Sequence, residues 1–232
     1  MYMTTRLLFH EELSNLDASL IHMGQLTRSN VRLALDSYNN GSVELVDRVL
    51  NNDDDIDDLE LDIESNCLRL MALQQPMARD LRRISSAIKV SNELERIGDH
   101  AVQIAKNTRK LIQQCFCRRP LVDLGLMADA AIHMLDDSLT AFLQRDVELV
   151  KLVCEHDDIV DDEFKVLREQ TLQLAKQDPT LISAASYTLL ILTSVERIAD
   201  HTTNIAERVA YMETGQMRRL AREHRLSLTH FS

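Results

Sequence analysis

The amino-acid sequence predicts an all-α protein, two tandem pseudo-symmetric antiparallel three-helix bundles, and three observations carry that expectation. Glycine and proline are scarce, five and three in 232 residues, so the chain lacks the turn residues that a sheet-rich fold of this size needs. Apolar residues recur at three- and four-residue steps over long stretches. A six-residue motif occurs twice, as Glu95-Arg96-Ile97-Gly98-Asp99-His100 and as Glu196-Arg197-Ile198-Ala199-Asp200-His201, 101 positions apart, which marks an internal repeat.

The elements follow in order. Leu13, Leu16, Leu20, Met23, Leu26, Val31 and Leu35 fall on one helical face, so a first helix is expected over about Thr4–Tyr38. Asn39-Asn40-Gly41-Ser42 ends it and supplies the N-cap of the next, expected as one helix over Val43–Leu73. Gln74-Gln75-Pro76 breaks the chain, and a third helix runs to about Gln114 on a stripe that includes Leu81, Ile84, Ile88, Leu94, Ile97, Ala101, Ile104, Thr108 and Leu111. Arg118-Arg119-Pro120 separates the copies. Helices are then expected over Val122–Leu143, Val147–Lys176 and, after Asp178-Pro179, Leu181–Glu213, with Thr214-Gly215 as the stop. The chain thus divides into a first repeat at 1–117, a second at 118–215 and a basic tail at 216–232. That tail carries Arg218, Arg219, Arg222 and Arg225 among apolar residues, and it reads as a short amphipathic helix docking on its own acidic body. Short connections favour antiparallel neighbours, so each copy is expected as an up-down-up bundle.

Composition narrows the function. The 45% of apolar residues fit a globular chain, and only 4% are aromatic, so the cores must be aliphatic. A formal net charge of −11 argues against nucleic acid or an anionic membrane as partner, and against free phosphate without a cation or an arginine cluster. The sequence shows no signal peptide and no run long enough for a transmembrane segment, so a soluble, cytoplasmic protein is expected. Cys67, Cys115, Cys117 and Cys154 match no zinc spacing and read as reduced thiols, a redox role for the Cys115-x-Cys117 pair being the alternative.

The doubled motif is where chemistry is expected. Glu95 and Asp99 lie four apart, on one helical face, and Glu196 and Asp200 repeat them. An antiparallel turn near Gln75 places Glu95 opposite the mid-50s, where Asp54 and Asp57 lie. The turn near Asp178 likewise sets Glu196 opposite about residue 160, near Asp157, Asp158 and Asp161. About four carboxylates then gather across two helices in each copy. They repel one another unless a cation bridges them, and Arg96 and Arg197, pointing about 100° away, relieve this only in part. A divalent or trivalent ion (Mg, Ca, Mn, Fe or Zn) bound by Glu95, Asp99, Asp54 and Asp57, and another by Glu196, Asp200, Asp158 and Asp161, is the expected chemistry. His100 and His201 adjoin these acids and could contribute. The plainer reading is that such acids are only solvated; the doubled Glu-Asp spacing counts against it. Arg79, Arg82 and Arg83 are expected to pair with neighbouring acids.

The motif, the run Leu73-Gln74-Gln75-Pro76-Met77-Ala78-Arg79-Asp80-Leu81-Arg82, and Asn204-Ile205-Ala206-Glu207 together resemble the PhoU family, regulators of bacterial phosphate uptake, over nearly the whole chain. The resemblance implies two three-helix bundles, homodimers or higher oligomers, and multinuclear metal sites on the ExxxD pairs. It also implies negative regulation of the phosphate-starvation response, by linking a phosphate ABC transporter to a sensor histidine kinase. Ala199 departs from Gly98, one small residue for another. Two other classes compete. A carboxylate-bridged metalloenzyme normally uses Glu-x-x-His pairs, and none occurs here; HExxH, G-x-S-x-G and glycine-rich phosphate loops are also missing, so an enzyme is not expected. A metal-free helical scaffold could instead hold basic partner surfaces in its acidic grooves.

Overall fold

A computed structural model describes residues 2–115 and 120–216, with the backbone alone at residues 2–6 and 115. Cys117, the side chain of Cys115 and the basic segment after Gln216 lie outside the described residues.

The elements are α1 (Tyr2–Asn40), α2 (Val43–Asn51), α3 (Asp53–Gln74), α4 (Arg79–Cys115), α5 (Gly125–Gln144), α6 (Val147–Gln177), a 3-10 turn (Pro179–Leu181) and α7 (Ile182–Thr214). The all-helical expectation holds, with one correction: the second expected helix is divided at Asn52. The cause is local. Buried Asn30 on α1 donates its Nδ2 to the Val49 carbonyl at 3.2 Å, and Asn52 Nδ2 reaches Asn30 Oδ1 at 3.4 Å. The Val49 carbonyl would otherwise accept from residue 53 in an unbroken helix. The second copy keeps a single helix, α6, at the equivalent place.

The ends follow side-chain chemistry. Gly41 (φ 59°) closes α1, and the Ser42 hydroxyl accepts from Leu45 N at 3.3 Å to cap α2. Asp146 caps α6 by accepting from Glu148 N at 2.8 Å. The fifth helical run starts at Gly125, later than expected, because the Asp123 carboxylate accepts from Gly125 N at 2.8 Å in the preceding turn.

Helices α1 to α4 form the first bundle and α5 to α7 the second. Leu13, Leu20, Ile63, Leu94 and Ile97 are buried in one, Met134, Val150, Ile191 and Ile198 in the other, and the two cores are continuous. Most of the expected third-helix stripe is buried, but Leu81 is exposed. The run Pro179–Thr214 is long and apolar enough to cross a bilayer by length and composition. Here its apolar side chains, among them Ala184, Ile191, Val195, Ile205 and Val209, are instead the buried centre of the second bundle.

The bundles join mainly through α4 and α7. Arg82 reaches Met212, Glu93 reaches Asn204, His100 meets His201, and Gln114 meets Tyr187. Numbers rise on one helix as they fall on the other, so the two helices are antiparallel and a pseudo-twofold passes near the two histidines. A second seam joins α1 to α5. Arg28 Nη2 donates to Asp136 Oδ2 at 2.8 Å, and Gly24 allows close approach, since a β-carbon there would lie 2.5 Å from Leu139 Cδ2. Of the arginines after Pro76, two pair with acids as expected, Arg79 with Glu213 at 3.0 Å and Arg83 with Asp17 at 3.1 Å, whereas Arg82 donates to the Met212 carbonyl at 3.3 Å.

Candidate metal centres

The register of α3 against α4 decides which acids meet. Ile56 and Val160 are both buried, whereas Ile159 is exposed, so the copies correspond at an offset of 104 along this helix. The sequence left 103 and 104 open. Asp53 and Asp57 then match Asp157 and Asp161, each an i,i+4 pair on one face.

In the first copy, burial and the negative charges of Asp57, Asp99 and Asp54 push the Asp53 carboxyl up to about 6, with Lys106 opposing. Asp57 is raised by burial and then by Asp99, Asp54 and Asp58. Glu95 is raised by burial and by Asp99, Asp57 and Glu60, with Arg96 opposing. In the second copy Glu196 is raised by burial and by Asp200, Asp161 and Asp157, with Arg197 opposing. Each group resists ionisation first because burial penalises its charge and then because its neighbours are negative.

All eight expected residues lie on the helices foreseen for them. Asp57 and Asp161 act on their partners across α3–α4 and α6–α7. Asp54 and Asp158 sit one position, about 100°, round from the more sheltered Asp53 and Asp157. Asp157 is only 2% exposed. Sequence reasoning missed Asp53; the buried Ile56 one turn along was the signal, because it fixes which acids face α4.

Arginine does more here than its position suggested. Arg96 Nη1 donates to Asp99 Oδ2 at 3.2 Å, and its Nε lies 3.4 Å from Glu95 Oε2. Arg197 Nη1 donates to Asp200 Oδ2 at 3.1 Å. Among the described residues, no three His, Cys, Asp or Glu side chains close into a ligand cage by themselves. The donor chemistry nonetheless fits a hard cation: the groups are carboxylates, they come from two helices, and Glu95 Oε2 is buried without a hydrogen bond.

The histidines have a different place. His100 and His201 face each other across α4 and α7, with ring centroids 5.4 Å apart. His201 Nδ1 lies 2.7 Å from Glu93 Oε2, to which Asn204 Nδ2 also donates at 3.1 Å. Burial would raise Glu93, but these hydrogen bonds and the charges of His201 and Arg208 bring it below its ordinary value. Burial, His201 and the two arginines push His100 down to about 4, against Asp99. The folded protein therefore resists protonation of His100. The resulting contribution is intact above about 6.5 and is lost as pH falls toward 4. Urea titrations across this range should show wild type losing stability relative to His100→Gln; parallel curves would remove the effect. Asp53 acts in the opposite sense, since its raised value favours the folded state as pH drops below about 6, so the comparison with the variant is essential.

Gly98 faces this site. A β-carbon there would lie 3.5 Å from Ile56 and 3.7 Å from Asp53 Oδ1, ordinary contact distances. Ala199 fills the same place in the second copy. Gly98→Ala is therefore expected to stabilise the protein by about 0.4–1 kcal/mol through the unfolded chain, seen as a higher urea midpoint. A lower midpoint would show that the space is not there.

The fold and site define a class, a duplicated three-helix-bundle protein with carboxylates paired between helices in each half. A family model described as the PhoU domain matches residues 20–108 and 124–209. A phosphate-specific transport system accessory protein PhoU homolog from Clostridium acetobutylicum is 32% identical over 91% of this chain and 97% of its own length. One from Aquifex aeolicus is 36% identical, over 89% and 93%. The crystal structure of PhoU from Pseudomonas aeruginosa superposes with a TM-score of 0.85 at 33% identity, covering 90% of this chain and all of that one. The phosphate transport system regulatory protein PhoU from Streptococcus pneumoniae gives 0.83 at 31%, covering 90% and 99%. The chain belongs to the PhoU family.

Proposed function

We propose that this protein is a cytoplasmic regulatory adaptor of phosphate transport that binds metal ions at its two carboxylate clusters. It represses phosphate uptake and phosphate-starvation signalling by linking a phosphate ABC transporter, through its cytoplasmic subunit, to a sensor histidine kinase, and it acts as a homodimer. The observation that supports this best is the doubled ExxxD site, held across α3–α4 and α6–α7 in a chain whose relatives are accessory proteins of phosphate transport. Glu95, Asp99, Asp53 and Asp57 would hold one ion or cluster, with Asp54 at its edge. Glu196, Asp200, Asp157 and Asp161 would hold the other, with Asp158 at its edge. Oxygen-only donors suit Mg, Ca, Mn or Fe; zinc would take fewer of them. Bound metal would add positive charge where Arg96 and Arg197 now pair, and so set the shape and charge of this face for its partners.

A metal-free scaffold is the second reading, and one observation favours it: Arg96 and Arg197 already neutralise part of each cluster. A strain lacking the gene separates the readings. Repression of a phosphate-starvation reporter in phosphate-rich medium should be lost and be restored by wild type. It should not be restored by the variant with Glu95→Gln, Asp99→Asn, Glu196→Gln and Asp200→Asn. Full restoration by that variant would leave the scaffold reading alone, and unchanged repression in the deletion strain would remove the regulatory role.

A further inference from the structure

Asp53, Asp57, Glu95 and Asp99 of the first repeat have counterparts of the same residue type in Asp157, Asp161, Glu196 and Asp200 of the second. Further along the same helices the match fails in one respect. Lys106 of α4 has Glu207 of α7 as its counterpart, at the offset of 101 that also relates the two motifs. The residues between Asp99 and Lys106, and between Asp200 and Glu207, change no charge from one copy to the other. Positions 95, 99 and 106, like 196, 200 and 207, fall within about 40° of one another round a helix. Each ExxxD pair is therefore followed on its own face by one more charged side chain, positive in the first repeat and negative in the second.

That side chain lies within reach of the carboxylates. Helix α3 runs back along α4 from the turn at Gln75, so its first residues lie beyond Asp99 in the direction of Lys106. There Lys106 acts on Asp53, favouring the carboxylate against burial and against the other acids. In the second repeat Asp157 holds the place of Asp53 and Glu207 the place of Lys106. Asp157 is 2% exposed, and Glu207 is half-buried where Lys106 is exposed. A charge that water screens less acts more strongly on its neighbours.

The arginines of the motif add to the difference. Arg96 lies 3.4 Å from Glu95 and 3.2 Å from Asp99, whereas Arg197 pairs with Asp200 at 3.1 Å. A cation entering the first site meets two such pairings and a lysine. One entering the second meets a single pairing and a further carboxylate.

We propose that the two cation sites are unequal: Glu207 strengthens the hold of the second repeat on its ion, and Lys106, in the same place, weakens that of the first. The inference rests on the reading of both carboxylate clusters as sites for hard cations. Affinity for such ions rises with the number of negative oxygens around them, and this one position makes the surroundings differ by two units of charge. The second site then fills at cation concentrations that leave the first empty. Its ion is a standing part of the fold, while the first repeat is the half whose charge follows the supply of metal.

Titration of the full-length protein with Mn²⁺, with the free ion followed by its paramagnetic resonance, tests this. The protein with Glu95→Gln and Asp99→Asn keeps the second site, and the one with Glu196→Gln and Asp200→Asn keeps the first. The second site should bind at least about tenfold more tightly, two units of charge at roughly 10 Å being the cause. Lys106→Glu should tighten the first site about tenfold, and Glu207→Lys should loosen the second as much. The neutral changes Lys106→Gln and Glu207→Gln should each act in the same direction by about threefold, with helical circular dichroism retained. Equal affinities, a tighter first site, or substitutions at 106 and 207 that change nothing would overturn the inequality and leave metal binding in place. No binding by either protein would overturn both.

Discussion

Saturating Mn²⁺ should raise the Tm of the wild-type protein by about 5–11 °C for each site filled, and Glu95→Gln with Asp99→Asn should abolish the part due to the first copy. An ion that binds only the folded chain contributes about 2.7 kcal/mol at a hundred times its Kd, and in a chain of this size each kcal/mol moves Tm by about 2–4 °C. The metal-free proteins should behave in the opposite way. Glu95 and Asp53 are held above their usual ranges by burial and by the other carboxylates. Neutralising Glu95 and Asp99 therefore removes repulsion, and the variant without metal should be no less stable than wild type. Protons compete for the same oxygens, so the Mn²⁺ effect should weaken as pH falls through about 6, where Asp53 titrates. A stabilisation by Mn²⁺ that is equal in wild type and variant, or indifferent to pH, would locate the ion elsewhere.

Ile97→Ala and Ile198→Ala should each destabilise the protein by about 2–5 kcal/mol. Both side chains are fully buried, at equivalent positions of the duplicated motif, where they fix the faces of α4 and α7 that carry the acids outward. The loss combines the transfer free energy of the removed methyl groups with the cavity they leave. At about 2–4 °C per kcal/mol, Tm falls by roughly 4–20 °C. The two variants should agree closely if the halves are alike in packing. Differential scanning calorimetry measures this directly, and a loss under 1 kcal/mol in either would mean that its site collapses around the gap.

Much of this architecture was legible before any coordinates. Repeated apolar spacing located the long helices, and the doubled motif exposed the duplication, because 3.6-residue periodicity and a near-identical run survive without knowledge of packing. What the sequence hid depended on partners distant along the chain. The break at Asn52 follows from Asn30 on another helix taking the Val49 carbonyl. The advantage of Asp53 and Asp157 over Asp54 and Asp158 needed the register of α3 and α6, which an offset of 103 or 104 could not settle by itself. The meeting of His100 with His201 needed the antiparallel packing of the two copies, and counting along one helix only showed these residues diverging from their neighbouring acids. Arg96 and Arg197 were read by angle alone, whereas their long side chains curl back to the carboxylates three positions on.

Equilibrium dialysis of Mn²⁺ against the chelator-treated protein, with metal counted by elemental analysis, tests the central claim most directly. The account predicts two separable sets of bound ion in wild type, one set after Glu95→Gln with Asp99→Asn, and none once Glu196→Gln and Asp200→Asn are added. Equal binding by all three proteins, or no binding by wild type, would contradict it.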